Sequence, residues 1–129
     1  MTLVAEWSAA SGSTEARIAG DTAQWRADLE PASGGKGEAP SPHDLLDSAL
    51  AACTVLTLQL YAKRKAYPLE AARAEVSHEE DRTDYKLTRR LTLEGPLDDV
   101  QRQDLLRVAN ACPIHRALAK KFAVETTLT

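Results

Sequence analysis

The chain has 129 residues, 43% of them apolar, and a formal charge of −3, which fits one domain and gives no basic footprint for nucleic acid. Alanine supplies 22 residues against 26 for Leu, Val, Ile and Phe together, a thin core that a second copy of the chain would complete. The longest run without a charged residue, Ser48 to Ala62, is too short for a membrane span, and the N-terminal MTLVAEWSAASGS has no basic segment leading into an apolar one, so neither a membrane partner nor export is expected and the protein is read as cytoplasmic.

Glu15 to Gly20 and Ala23 to Leu29 alternate weakly around a Gly20-Asp21 turn signal, as a hairpin does. Pro31 to Pro42 is rich in Pro, Gly and Ser and reads as a loop without regular structure. Ser41-Pro42-His43-Asp44 then predicts a helix start, with Ser as N-cap, Pro at N1 and Asp44 closing a capping box at N3. The run that follows is apolar at Leu45, Leu46, Ala49, Leu50, Cys53, Leu56, Leu60 and Tyr61, a helical spacing. Ala51, Ala52, Val55 and Leu58 fill most of the remaining circumference, which predicts a helix covered on several sides. Lys63 to Lys65 suit its C-terminal end, and Pro68 stops it.

Ala72 to Glu80 and Tyr85 to Glu94 alternate as two strands joined by a turn at Asp81 to Asp84. Arg89 falls on the apolar face of the second, either at an edge or aimed at a carboxylate or thiolate. Asp98 to Ala111 is a second amphipathic helix, which Cys112-Pro113 interrupts. A short helix, Ile114 to Lys121, leads into a last strand, Ala123 to Leu128. The expected order is β-β-α-β-β-α-α-β, an α+β domain spanning residues 1–129.

Two cysteines without a secretory context are either inert small hydrophobes or chemistry. Cys53 lies inside the long helix, where packing alone would account for it. Cys112 stands at a helix start, where free N–H groups and the dipole favour a thiolate, with His115 and Arg116 close behind; a plain capping role fits the same position. Cys112 and His115 with Cys53 and His43 or His78 could supply four metal ligands, but no C-x₂-C pair is present. Asp44 has an ordinary role as the capping-box acid.

The segment GGKGEAPSPHDLLDSALAACTVLTLQLYAKRKAYPLE, taken with NACPIHRAL, resembles the OsmC/Ohr family of thiol-dependent hydroperoxide reductases, and most closely its general OsmC-like branch. The likeness runs from about Ala16 to Thr127, and the helix start and the Cys112-Pro113-Ile114-His115-Arg116 element are specific as a pair. It implies an antiparallel sheet packed on a long central helix, in an intertwined homodimer with its thiol sites at the subunit seam.

The resemblance places Cys53 as the peroxidatic cysteine and Cys112 as the resolving one. The substrate would be an organic hydroperoxide, the reductant an external dithiol, and no cofactor is called for. The family's cation is an arginine held by a helix-start glutamate. Here His43 stands ten residues before Cys53 and Asp44 nine before, so Asp44 is the positional match with a shorter side chain. Arg17 and Arg26 are the candidate cations, and Arg89 is a third, reached from strand alternation alone. The competing expectation is a non-catalytic dimer of the same fold that binds a small apolar ligand or a partner.

Overall fold

The computed structural model describes residues 2–129, which gather into two compact units, one up to residue 46 and one from 47 to 129. In the first, β1 (Val4–Glu6), β2 (Ala16–Ala19) and β3 (Gln24–Ala27) form an antiparallel sheet in that order. Ile18 pairs with Trp25 and Arg17 with Arg26. The expected hairpin is β2–β3. β1 was not expected: its three residues are all exposed and carry no clean alternation, and its place comes from pairing Val4 with Ala19.

The loop after β3 is more ordered than its composition suggests. Pro31–Ser33 makes a 3₁₀ turn, and Asp28, only 3% exposed, closes the loop around itself. Its carboxylate accepts from Thr14 Oγ1 and the Leu29 N–H, both at 2.8 Å, and from the Lys36 N–H at 2.9 Å. Its own N–H donates to the Pro40 carbonyl at 3.1 Å. The amide of Lys36 is the main reason this carboxyl titrates below the ordinary range. Gly35 is required here, because a Cβ would stand 1.9 Å from the Leu29 carbonyl oxygen.

The helix α1 (Pro42–Lys65) begins as expected. Ser41 Oγ accepts the Asp44 N–H at 3.1 Å and Asp44 Oδ2 accepts the Ser41 N–H at 3.0 Å, a reciprocal capping box. At its other end Ala66 takes a left-handed conformation, φ 56°, and the Tyr67 N–H reaches back to the Ala62 carbonyl at 2.9 Å. The helix ends on that turn, two residues before Pro68.

In the second unit β4 (Ala71–Glu80) and β5 (Tyr85–Glu94) make an antiparallel hairpin. The turn forms over Asp81 to Asp84, where Asp81 Oδ1 accepts the Thr83 and Asp84 N–H groups. α2 (Asp99–Ala109) opens with Asp98 and Gln101 in a capping box. α3 (Pro113–Leu118) follows. Leu58 and Ala62 of α1 bury against Leu105, Val108 and Ala109 of α2, with Leu91 and Leu93 of β5 against the same cluster. By length and composition α1 holds an 18-residue window, of mean hydropathy 1.5, that could cross a membrane, although its uncharged run is shorter. Here its buried stripe belongs to the protein core.

The expected strand Ala123 to Leu128 does not form; residues 121–129 have no helix or strand. Phe122, Val124 and Leu128 are 66%, 86% and 97% exposed. A strand needs a neighbouring edge to take its N–H and C=O groups, and alternation alone does not supply one. The architecture is α+β with two antiparallel sheets and one long helix.

Candidate functional site

The interior of α1 presents residues to the second unit at four-residue steps: Leu50, Thr54, Leu58 and Ala62 are its buried positions. Cys53 is one residue off that stripe and half-buried. Its sulfur accepts the backbone N–H of Ile114 at 3.5 Å and lies 3.9 Å from Thr57 Oγ1.

Cys112 is fully buried and is the N-cap of α3, where Pro113 at N1 needs no N–H partner. Its sulfur accepts the His115 N–H at 3.4 Å. Two neighbouring amides of one helical turn therefore each donate to a different cysteine sulfur. Both cysteines are free thiols.

Arg89 organises the polar side of this region. It leaves β5 on the face that carries Leu87 and Leu91, half-buried, opposite Val76 of β4. One terminal nitrogen donates to Thr54 Oγ1 at 3.0 Å. The other donates to Asn110 Oδ1 at 2.9 Å and to His115 Nδ1 at 3.1 Å. A guanidinium can only donate, so the imidazole Nδ1 is the acceptor. Arg89 thus ties the residue after Cys53 to two residues that bracket Cys112. The strand pattern singled out Arg89, but Thr54 and Asn110 were missed. A threonine in a buried helical stripe was the available signal for the first; the second lay inside the motif NACPIHRAL without a role.

The other expected residues lie in the first unit. Asp44 is engaged in the α1 cap. Arg26 pairs with Glu15 at 2.9 Å and is 61% exposed. Arg17, its register partner on β2, is also exposed.

Two further polar clusters are structural in form. Asp47 accepts from Tyr85 at 3.0 Å and bonds His78 Nδ1, with the His78 and Tyr85 rings stacked. Asp104 accepts from Tyr61 at 2.7 Å, Tyr67 at 2.8 Å and Arg107 at 2.7 Å. Those donors, Tyr61 first, hold the Asp104 carboxyl down to about 2. Donation to Asp104 and partial burial push the Tyr67 phenol up to about 12. Among the described residues no three His, Cys, Asp or Glu side chains gather as a metal-holding group; His78 is turned to Asp47 instead.

The OsmC-like protein family model matches residues 35–127. The fold is similar to that of an OsmC like protein from Mycoplasma pneumoniae, 21% identical over 91% of this chain and 85% of that one, with a TM-score of 0.74. It is also similar to the organic hydroperoxide resistance protein OhrB of Bacillus subtilis, 22% identical over 92% and 89%, TM-score 0.61. An organic hydroperoxide resistance protein from Elizabethkingia anophelis matches at 19% identity over 91% and 86%, TM-score 0.65. No curated protein matches the chain in sequence. At these identities the solved structures speak to the fold, and the family match covers most of the chain, including both cysteines, Arg89 and the α1 cap. The chain belongs to the OsmC-like protein family.

Proposed function

We propose that this protein is a cytoplasmic, homodimeric thiol peroxidase that reduces organic hydroperoxides in defence against oxidative stress. The observation that carries the reading is the pair of amides, Ile114 and His115, each donating to one of the two sulfurs. These two contacts hold both thiols at one turn of the chain.

In the proposed cycle the Cys53 thiolate attacks the terminal oxygen of the hydroperoxide. The O–O bond breaks, the departing alkoxide takes a proton to become the alcohol, and Cys53 becomes a sulfenic acid. The Cys112 thiol displaces the sulfenic hydroxyl as water, forming a Cys53–Cys112 disulfide. An external dithiol reduces that bond through a mixed disulfide and is itself oxidised. Asp44 fixes the start of the helix that carries Cys53. Arg17 or Arg26 supplies the cation for the Cys53 thiolate, as the family likeness implies.

The homodimer is supported by the opposite side of α1, where Leu56 and Leu60 are 53% and 57% exposed. A long helix in a domain with so few large core residues gains by burying that side against its copy. Cys53→Ser should abolish thiol-dependent consumption of an organic hydroperoxide by the full chain, and an unchanged rate would overturn the assignment. The competing reading, a non-catalytic ligand-binding dimer, is favoured by the complete burial of Cys112. The mass of the intact protein after one equivalent of hydroperoxide decides between them: the loss of two hydrogens in a disulfide supports catalysis, and an unchanged mass supports the rival.

A further inference from the structure

Arg89 is a cation without an anion. Its three partners are a hydroxyl, an amide carbonyl and an imidazole nitrogen, all neutral acceptors. Among the described residues no carboxylate forms an ion pair with it, whereas Arg26, Arg73 and Arg107 each have one and are more than 60% exposed. Arg89 is half-buried, where water screens a lone charge less well and a missing counter-charge costs more. A guanidinium carries five N–H groups, so these three bonds leave donors in reserve.

The charge borders a cavity of about 410 Å³. Its walls are leucines from four elements: Leu50 of α1, Leu87 of β5, Leu106 of α2 and Leu118 of α3. Arg89, Asn110 and His115 are its polar lining, and neither cysteine contributes to it. It adjoins the thiol pair through His115, whose N–H donates to Cys112, but no sulfur lines it.

We propose that this cavity binds an amphipathic monocarboxylate, its carboxylate on the Arg89 guanidinium and its hydrocarbon body against the leucines. The donors in reserve, Nε–H and one Nη1–H, lie on different sides of the guanidinium, so a carboxylate takes a single charge-assisted bond there. Leucine walls penalise a polar or multiply charged body, because its groups would lose water without gaining partners. The volume lies within the range of small-ligand sites. The inference needs Arg89 and the leucine walls and no sulfur, so it stands or falls apart from the peroxidase reading.

Calorimetric titration of the full chain with decanoate, decanol and acetate tests it. Decanoate should bind at least about tenfold more tightly than decanol, the usual worth of one charge-assisted pair, and acetate should bind more weakly still. Arg89→Met should bring decanoate to the level of decanol. Leu106→Trp, which fills the cavity from the exposed side of α2 and leaves the polar cluster intact, should remove decanoate binding while the protein stays folded. That second variant keeps the test decisive if Arg89→Met does not fold. Cys53→Ser should bind decanoate as the wild type does, so loss of peroxide consumption and loss of carboxylate binding are read separately. No decanoate binding, decanol or acetate binding as tightly as decanoate, or binding unaffected by Leu106→Trp would each overturn the proposal.

Discussion

Thr54 and Arg89 are joined by a 3.0 Å hydrogen bond that fastens the helix position after Cys53 to the middle of β5. Thr54 is fully buried and its hydroxyl also donates to the Leu50 carbonyl at 2.7 Å, so a single oxygen meets both needs. Thr54→Val keeps the shape and removes both bonds. We expect a loss of about 1–2 kcal/mol in urea unfolding, because a guanidinium N–H is left without its acceptor. A midpoint unchanged from wild type would mean that water replaces the hydroxyl without cost.

Cys112→Ser removes the proposed resolving thiol and leaves the α3 cap, since a serine hydroxyl can also accept the His115 N–H. After one equivalent of organic hydroperoxide, this variant should hold a Cys53 sulfenic acid that a dimedone probe labels, while the wild type should not. Equal labelling of both proteins would remove Cys112 from the cycle.

Ala66 closes α1 in a left-handed conformation, φ 56°, that costs a residue with a Cβ about 1 kcal/mol relative to glycine. Ala66→Gly should therefore stabilise the protein by up to about 1 kcal/mol, less the entropy glycine adds to the unfolded chain. Thermal unfolding reads the sign directly.

The Asp104 cluster has a definite pH signature. Its carboxyl sits at about 2, below the ordinary 3.8, so its contribution is complete above about pH 4 and disappears as pH falls through 2. The Tyr67 phenol is raised to about 12, so its contribution is complete below about pH 10 and disappears as pH rises through 12. Denaturant unfolding of wild type and Asp104→Asn should differ by a constant amount between those limits. The gap should close at the acid end, and a gap that widened there would contradict the assignment of the cluster.

Leu60→Glu places a charge on the exposed side of α1, away from Leu58 and Ala62. Sedimentation should find the wild type as a dimer and this variant as a folded monomer. A dimeric variant would move the seam elsewhere.

The parts of the fold that depend on neighbours close in sequence were legible: the Ser41–Asp44 cap, the full length of α1, the β4–β5 hairpin and the Cys112-Pro113 break. Each is set by spacing and by capping or turn chemistry within a few residues. What failed depended on a distant edge. Val4–Glu6 became a strand by pairing with β2, and Ala123–Leu128 pairs with none of the strand edges. At the candidate site the strand period marked Arg89 as out of place, but its partners lie 35, 21 and 26 residues away. The helical stripe offered Thr54 without naming its partner, and no local pattern could have named Asn110.

The Asp28 latch has a consequence for how the chain is cut. Three donors separated along the sequence converge on one carboxylate, so the segment from Leu29 to Pro40 cannot peel away one residue at a time. It must open as a unit, and a protease would find it only in that opened fraction. Because the Lys36 amide holds this carboxyl below its ordinary range, acid that protonates it weakens all three tethers together. Cleavage inside a glycine-rich loop would then report the state of a single aspartate.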